Sequence, residues 1–307
     1  MEENRGFEQV LQVLPLWLRR EIGVLPEEKK RCVEELRFRI GRPASVLYPA
    51  GECIVGRTIL TRAHLEHILE LASGASLHAV IDQIRQGFLT IPGGHRMGIC
   101  GRAVMEDGKI RMIDQISSLS VRIAKEHPGI ADALFPQLMQ EGRMQSTLII
   151  APPGAGKTSL LREIIRCLAD GKANLHYRIG VVDQRGELSG AVDGRAQFEL
   201  GWQTDVLLGS PKGEGLMMLL RCMNPQILAV DEITAPEDME ALSEAGGCGT
   251  GLLATVHGYG LEDLRGRKFG RKLLECQLFS RVILIEKKNG TRSYRVEAAE
   301  CGNCWGV

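Results

Sequence analysis

Aromatic residues are scarce in this sequence, and neither charge is in excess. Only 5% of its 307 residues are aromatic, and 38 Lys and Arg residues are balanced by 38 Asp and Glu residues. Proteins that hold single-stranded nucleic acid stack the bases on aromatic side chains inside a basic groove. The composition therefore disfavours a protein that binds nucleic acid.

Long apolar runs are absent as well. No stretch approaches the ~18 consecutive apolar residues that a membrane-spanning helix needs. The first residues, Met1 to Gly6, lack a cationic segment followed by an apolar core, so we expect no secretory signal peptide. We expect a cytoplasmic protein that meets a membrane only at its periphery, through partners embedded there.

The cysteines do not form a recognisable framework. Their number is odd, at nine, and they are scattered through the chain, which is typical of reduced thiols in a cytosol. Cys301 and Cys304 are the one close pair, but a zinc site needs about four ligands, and no second pair lies nearby. We therefore expect residues 301–307 to form a flexible tail rather than a metal or redox site.

The strongest positive pattern is a phosphate-binding loop between an apolar strand and a helix. Its sequence is Ala151-Pro-Pro-Gly-Ala-Gly-Lys-Thr-Ser159. Backbone N–H groups in such a loop, together with the helix N-terminus, cradle a nucleotide phosphate. Lys157 is expected to reach the β- and γ-phosphates, and Thr158 to offer its hydroxyl to Mg²⁺. We predict that ATP is bound by Pro153, Gly154, Ala155, Gly156, Lys157, Thr158 and Ser159.

A second pattern is an apolar strand that ends in two carboxylates, Asp231 and Glu232. Alone, it could be a buried strand followed by a solvated acidic turn. Together with the phosphate loop, it favours hydrolysis of the nucleotide. We predict that Asp231 holds Mg²⁺ and that Glu232 orients and deprotonates the attacking water.

Two further strand ends carry polar residues. Asp183 and Glu187 follow one apolar strand, and His257 ends another. In open α/β sheets, ligands bind beyond the carboxyl ends of the strands, so we expect these residues to meet at the phosphate loop. We predict that Asp183 belongs to the metal shell, Glu187 to the water shell, and that His257 senses the γ-phosphate.

The chain divides by pattern into two parts and a tail. Residues 1–143 mix helical stretches, among them 25–36 and a helix capped by Thr61, with short alternating segments, which is typical of an α+β module with an antiparallel sheet. Residues 144–300 hold continuous apolar strands, which is typical of a parallel sheet covered by helices on both faces. We expect these strands at 147–150, 179–183, 227–231, 252–257 and 282–286.

Taken in order, the sequence blocks resemble the family of stage III sporulation protein AA, a relative of the type II and type IV secretion and pilus ATPases. The resemblance implies a RecA-like P-loop NTPase domain with a predominantly parallel sheet, preceded by a smaller α+β domain and assembled into a ring, expected to be a hexamer. It places Asp183 and Glu187 in the Asp box and His257 in the His box. Gln184 stands where an acidic residue is expected, and Ala151 where the loop has glycine. The blocks are Gly93-Gly-His-Arg-Met-Gly-Ile-Cys-Gly-Arg102, Pro152-Pro-Gly-Ala-Gly-Lys-Thr158, Val181-Val-Asp-Gln-Arg-Gly-Glu187, Thr204-Asp-Val206, Pro211-Lys-Gly-Glu-Gly215, Val230-Asp-Glu-Ile233 and Ala254-Thr-Val-His-Gly258.

Similarity to the secretion motors also implies that arginines of the N-terminal domain reach the site of a neighbouring subunit. Arginines supplied in this way stabilise the charge on the transferring phosphoryl group. The candidates are Arg96, Arg102 and Arg122, and each could instead be a solvated strand residue. We favour Arg96 and Arg102, because the neighbouring glycines let the backbone approach another subunit closely.

The leading hypothesis is a Mg²⁺-dependent ATPase that forms a ring and energises a secretion-like channel during endospore formation, acting on membrane-embedded components of that channel. The alternative is a RecA-like ATPase that acts on single-stranded nucleic acid, which the low aromatic content disfavours. A third possibility is a nucleotide-dependent scaffold that does not hydrolyse, which the loss of a carboxylate at Gln184 keeps open.

Overall fold

The computed structural model describes residues 5–74, 81–172, 175–288 and 291–299. The chain forms two compact units. One comprises residues 1–125 and 190–198, and the other comprises residues 126–189 and 199–307. The division at residue 143 that we expected from the sequence stays a prediction. The expected tail, with Cys301 and Cys304, lies outside the described residues.

The first unit is built of short helices around one sheet. Its helices are α1 (Arg5–Gln12), α2 (Leu16–Gly23), α3 (Glu27–Cys32), α4 (Arg62–Ala72) and α5 (Ile81–Arg85). Its strands are β1 (Glu35–Arg39), β2 (Ser45–Tyr48), β3 (Gly51–Ile54), β4 (Phe88–Ile91), β5 (His95–Glu106) and β6 (Lys109–Arg122). The strand order is β3-β2-β1-β6-β5-β4, and every pairing is antiparallel.

Local sequence explains two features of this unit. Thr61 caps α4, as predicted, because its hydroxyl accepts a hydrogen bond from the N–H of His64, whose ring accepts one from the N–H of Thr61 in return. The helical prediction for residues 25–36 is wrong at its C-terminal end, since α3 stops at Cys32 and Leu36 lies in β1. Pairing of β1 with β2 and β6 overrides the helical composition there.

The second unit begins with three small elements, α6 (Phe135–Leu138), β7 (Met139–Gln140) and β8 (Arg143–Met144). The strands of its main sheet are β9 (Thr147–Ala151), β10 (Ile179–Asp183), β11 (Thr204–Leu208), β12 (Ile227–Val230), β13 (Gly251–His257), β14 (Arg281–Lys288) and β15 (Thr291–Ala298). Its remaining helices are α7 (Lys157–Ala169), α8 (Lys212–Cys222), α9 (Pro236–Gly247), α10 (Leu261–Gly266) and α11 (Lys268–Glu275).

This sheet has the order β11-β10-β12-β13-β9-β14-β15. All neighbours run parallel except β14 and β15, which form an antiparallel pair. The five strands predicted from apolar runs are present, each within two residues of its expected ends. The second unit is thus an α/β fold with a mainly parallel sheet.

Helices cover both faces of the sheet. On one face, Leu160 and Ile164 of α7 pack with Ile149 of β9 and Val181 of β10. On the other face, buried residues of α8, α9, α10 and α11 pack with alternate residues of the same strands, such as Leu148 and Val182. Since both faces are buried, the strands read as continuous apolar runs. The parallel arrangement also brings the carboxyl ends of β9, β10, β12 and β13 to one edge of the sheet.

Candidate functional site

The loop between β9 and α7 has the backbone that a phosphate-binding loop needs. Gly154 has φ +73° and Gly156 has φ +104°, values that favour glycine. Gly156 is the residue that precedes α7, and its carbonyl accepts the hydrogen bond from the N–H of Leu160. A side chain on Gly156 would also lie 3.2 Å from Nε of Arg292 in β15. The loop therefore leaves the N-terminus of α7 open to an anion.

Lys157, the first residue of α7, is turned inward and only 6% exposed. Burial lowers the pKa of its ammonium group, while the charges of Asp231, Glu232 and Glu187 act in the opposite direction. Its Nζ lies 2.7 Å from Nδ1 of His257 at the end of β13. The cation is thus held among carboxylates at the edge of the sheet.

His257 connects this lysine to the predicted base. An ammonium group has no acceptor, so Nδ1 must accept from Lys157, and the ring proton sits on Nε2. On the other side of the ring, Nε2 lies 3.0 Å from Oε1 of Glu232. The three side chains therefore lie in one row of close contacts, which the sequence predicted only as a common neighbourhood.

Asp231 and Thr158 are in direct contact. The hydroxyl of Thr158 donates to Oδ2 of Asp231 at 2.6 Å, and the hydroxyl of Thr255 donates to Oδ1 at 2.5 Å. A hydroxyl and a carboxylate side by side are hard oxygen donors of the kind that Mg²⁺ prefers. These two residues fit the metal that the sequence predicts.

Glu232 has an unusual backbone. Its φ is +56°, in the left-handed region that non-glycine residues seldom adopt. Its carboxylate lies 3.0 Å from His257 and 3.7 Å from the guanidinium of Arg185. Such outliers concentrate at functional sites, because the surrounding structure must stabilise them.

Asp183 ends β10, and Glu187 lies in the short loop that follows this strand. Asp183 is 3% exposed, and its Oδ2 accepts hydrogen bonds from the N–H (2.8 Å) and the hydroxyl (2.7 Å) of Ser189. Asp183 and Glu187 line one small pocket together with Asp231 and Glu232. The residues that we predicted from separate strand ends therefore converge in this unit, and their roles stay predictions.

The predicted arginines belong to the first unit. Arg96 lies in β5, with its guanidinium carbon 4.0 Å from the ring centre of Phe88, a cation–π contact. Arg102 lies further along β5, is exposed, and is paired in register with Asp114. Their action on a neighbouring subunit stays a prediction.

Other residues of the site carry no role in the sequence analysis. Arg185 and Lys212 line the same pocket as the carboxylates, and Lys212 donates to the backbone carbonyl of Glu232. Arg162 is 8% exposed and donates to the carbonyls of Glu187 (2.7 Å) and Leu188 (2.8 Å). Arg185 and Lys212 stand inside the sequence blocks quoted above, but neither follows a strand end directly. No local pattern marks Arg162.

The comparisons with known proteins identify the family. The sequence profile described as "Sporulation stage III, protein AA" matches residues 4–298. The stage III sporulation protein AA of Bacillus subtilis is 36% identical over 283 residues, which cover 92% of each chain. This chain belongs to the stage III sporulation protein AA family.

Solved structures of low identity share the fold of this family member. The pilus retraction motor PilT, solved with bound ADP, has a TM-score of 0.59 at 13% identity and covers 88% of this chain and 80% of its own. The ATPase DotB of Yersinia pseudotuberculosis has a TM-score of 0.58 at 14% identity, covering 88% of this chain and 76% of its own. These likenesses show the α/β fold with a parallel sheet.

No helix in the described parts of this family member combines the length and the apolar character that a membrane crossing requires.

Proposed function

We propose that this protein is a Mg²⁺-dependent ATPase with a RecA-like fold, which forms a ring and energises a secretion-like channel during endospore formation. The observation that carries the proposal is the hydrogen bond between Thr158 and Asp231, 2.6 Å long, at the mouth of a glycine loop. It joins the two groups that would share a metal ion. Mg²⁺, when bound, neutralises charge on the phosphate oxygens.

The chain's own residues suit the hydrolytic step. Glu232 accepts a proton from the attacking water as the water oxygen bonds to the γ-phosphorus and the bond from that phosphorus to the bridging oxygen of ADP breaks. Lys157 and the N-terminus of α7 stabilise the negative charge that develops. His257 lies between Lys157 and the carboxylate of Glu232 and contacts both.

The first experiment measures ATP hydrolysis and nucleotide binding with and without Mg²⁺. We expect hydrolysis that requires Mg²⁺, is lost in Lys157→Ala and Glu232→Gln, and is unchanged in Lys268→Met, because Lys268 is exposed at the start of α11. Binding of ATP by Glu232→Gln without turnover would agree with its role as base. A wild-type protein that binds ATP but never hydrolyses it would contradict the ATPase proposal and favour a scaffold.

The ring is proposed from the relatives: PilT is a pilus retraction motor and DotB an ATPase. Its test is complementation between Lys157→Ala and Arg96→Ala. If Arg96 acts in a neighbouring site, mixing two inactive variants restores about one quarter of the interfaces in a closed ring. Activity that is linear in protein concentration and absent from the mixture would contradict shared sites.

Strong stimulation of ATP hydrolysis by oligonucleotides, with binding that weakens steeply in salt, would favour the nucleic-acid alternative instead.

A further inference from the structure

Two hydrogen bonds hold the backbone of Glu232, one at its N–H and one at its carbonyl. Its N–H donates to the hydroxyl of Thr255 at 2.8 Å, and its carbonyl accepts from the ammonium group of Lys212. Between these two contacts its φ is +56°. A glutamate in this conformation is strained, and it persists only where neighbouring contacts stabilise it.

The contact to Thr255 comes from inside the sheet. Thr255 lies inside β13 and is fully buried, and its hydroxyl donates to Asp231 while accepting from Glu232. Its carbonyl also accepts from the N–H of Ile233 at 2.8 Å. Thr255 therefore binds the peptide groups on both sides of Glu232, because the N–H of Ile233 belongs to the same peptide group as the Glu232 carbonyl.

The contact to Lys212 comes from a different element, the first residue of α8. Two glycines, Gly213 and Gly215, allow this end of α8 to pack closely against its neighbours. A side chain on Gly213 would lie 3.0 Å from the carbonyl oxygen of Glu237 in α9, and one on Gly215 would lie 2.8 Å from Val182 in β10. The close packing places the partly buried Lys212 at the pocket that holds Glu232.

We infer that Lys212 is a positioning residue for Glu232: its ammonium group holds the Glu232 carbonyl, keeps the backbone left-handed, and thereby points the carboxylate at His257. The inference rests on the proposed hydrolysis. Lys212 acts through the backbone of the base and not on the nucleotide. Turnover depends on the Lys212 contact, whereas nucleotide affinity does not.

The chemistry of the contact supports this division of roles. An ammonium group forms a stronger hydrogen bond to a carbonyl than a neutral donor does, because the donor is charged. Without it, only the contacts to Thr255 hold this backbone, and we expect the residue to relax toward the ordinary range of φ and the carboxylate to turn away from Nε2 of His257. Small displacements of a reacting group lower rates strongly, by up to about a hundredfold for about 1 Å.

The test uses the full chain with Mg²⁺ and ATP and compares Lys212→Met with Lys212→Arg. Methionine keeps the apolar stem but has no donor, whereas arginine restores a charged donor. We expect kcat of Lys212→Met to fall about tenfold or more, with the KM for ATP and the affinity for a fluorescent ADP analogue within about twofold of wild type. Lys212→Arg should recover part of kcat. Lys268→Met is the matched control, because Lys268 also opens a helix but is exposed.

A second pair of variants tests the other contact. Thr255→Val removes the hydroxyl and leaves the N–H of Glu232 without its acceptor, whereas Thr255→Ser keeps the hydroxyl. We expect Thr255→Ser to retain more of kcat than Thr255→Val. The Lys212 variants decide the inference even where Thr255→Val fails to fold, because Lys212 is outside the core.

The outcomes separate the inference from the proposed function. Unchanged kcat in Lys212→Met, with active wild type, would overturn the inference and leave the ATPase proposal intact. A loss of nucleotide affinity in that variant would also overturn it, because Lys212 would then act on the nucleotide. A wild-type protein that never hydrolyses ATP would instead refute the proposed function.

Discussion

His95 should make the first unit sensitive to mild acid. It opens β5, is 1% exposed, and its Nδ1 accepts a hydrogen bond from the N–H of Ala124 at 3.0 Å. Among the residues that the structure describes, Nε2 finds no hydrogen-bond partner. Burial lowers the pKa of His95 from 6.5 to about 4, because the charged ring cannot be solvated.

The sign of the effect follows from this lowered pKa. The unfolded chain takes up a proton as the pH falls through 6.5, whereas the folded chain stays neutral until the pH approaches 4. The stabilisation is therefore complete above pH 6.5 and is lost between pH 6.5 and 4. From pH 7.5 to pH 5, this residue should lower the free energy of unfolding by about 2 kcal/mol.

Carboxylates of the same unit act in a lower range of pH. Hydrogen bonds from Arg39 and Ser45 lower the pKa of Glu52 to about 2, so its stabilisation is present above pH 4.5 and is lost as the pH falls toward 2. Measurements at pH 5 and above therefore report the effect of His95 with little contribution from Glu52.

The assay is urea unfolding followed by the fluorescence of Trp17, which packs against the core of the first unit, in a background with Trp202→Phe and Trp305→Phe. With a urea m-value near 1–3 kcal/mol/M, the midpoint should fall by about 1 M between pH 7.5 and pH 5. His95→Asn keeps an acceptor for Ala124 but does not titrate, so its midpoint should change far less. His67→Asn, on the exposed side of α4, should behave as wild type. A His95→Asn midpoint that falls in parallel with wild type would refute the reasoning.

Three further predictions concern single substitutions. Gly156→Ala should weaken binding of a fluorescent ADP analogue more than about tenfold, because φ is +104° and the new methyl group meets Arg292. Gly209→Ala is the control, because Gly209 also has a positive φ but open space around it. An equal loss of binding in both variants would point to a folding defect instead. Thr61→Ala should lower the free energy of unfolding by about 1 kcal/mol, measured in urea, because it removes the cap of α4. Glu232→Gly should be more stable in urea than Glu232→Ala by about 1 kcal/mol, since only glycine adopts its φ without strain.

Local sequence was enough to predict the positions of those parts of the candidate site whose residues are neighbours in the chain. The predicted phosphate loop joins a buried strand to an amphipathic helix, and Asp231 follows an apolar strand directly, so a short window contains each complete pattern. Parallel pairing then brings the strand ends to one edge, which the alternation of strands and helices also predicts.

The features that the sequence did not predict depend on contacts between segments that are distant in the chain. The edge strand β11 is only partly buried and β15 is polar at many positions, so neither forms an apolar run. The contact of Lys212 with Glu232 joins α8 to the end of β12. Residues 190–198 belong to the first unit although they follow Lys125 by many residues, and Phe198 packs there against Gly94. No periodicity in the sequence encodes such pairings.

The loop from Asp183 to Ser189 shows how α7 and β10 constrain one part of the site. Asp183 closes the loop through two hydrogen bonds from Ser189, and the buried Arg162 of α7 holds the carbonyls of Glu187 and Leu188. Burial lowers the pKa of Arg162, but nearby carboxylates, Asp183 among them, favour its charged form. Since α7 also follows the predicted phosphate loop, Arg162 links that helix directly to the backbone of Glu187. The contacts therefore favour Asp183 as the residue that shapes this loop, and the acid and metal chemistry that we propose falls chiefly on Asp231 and Glu232.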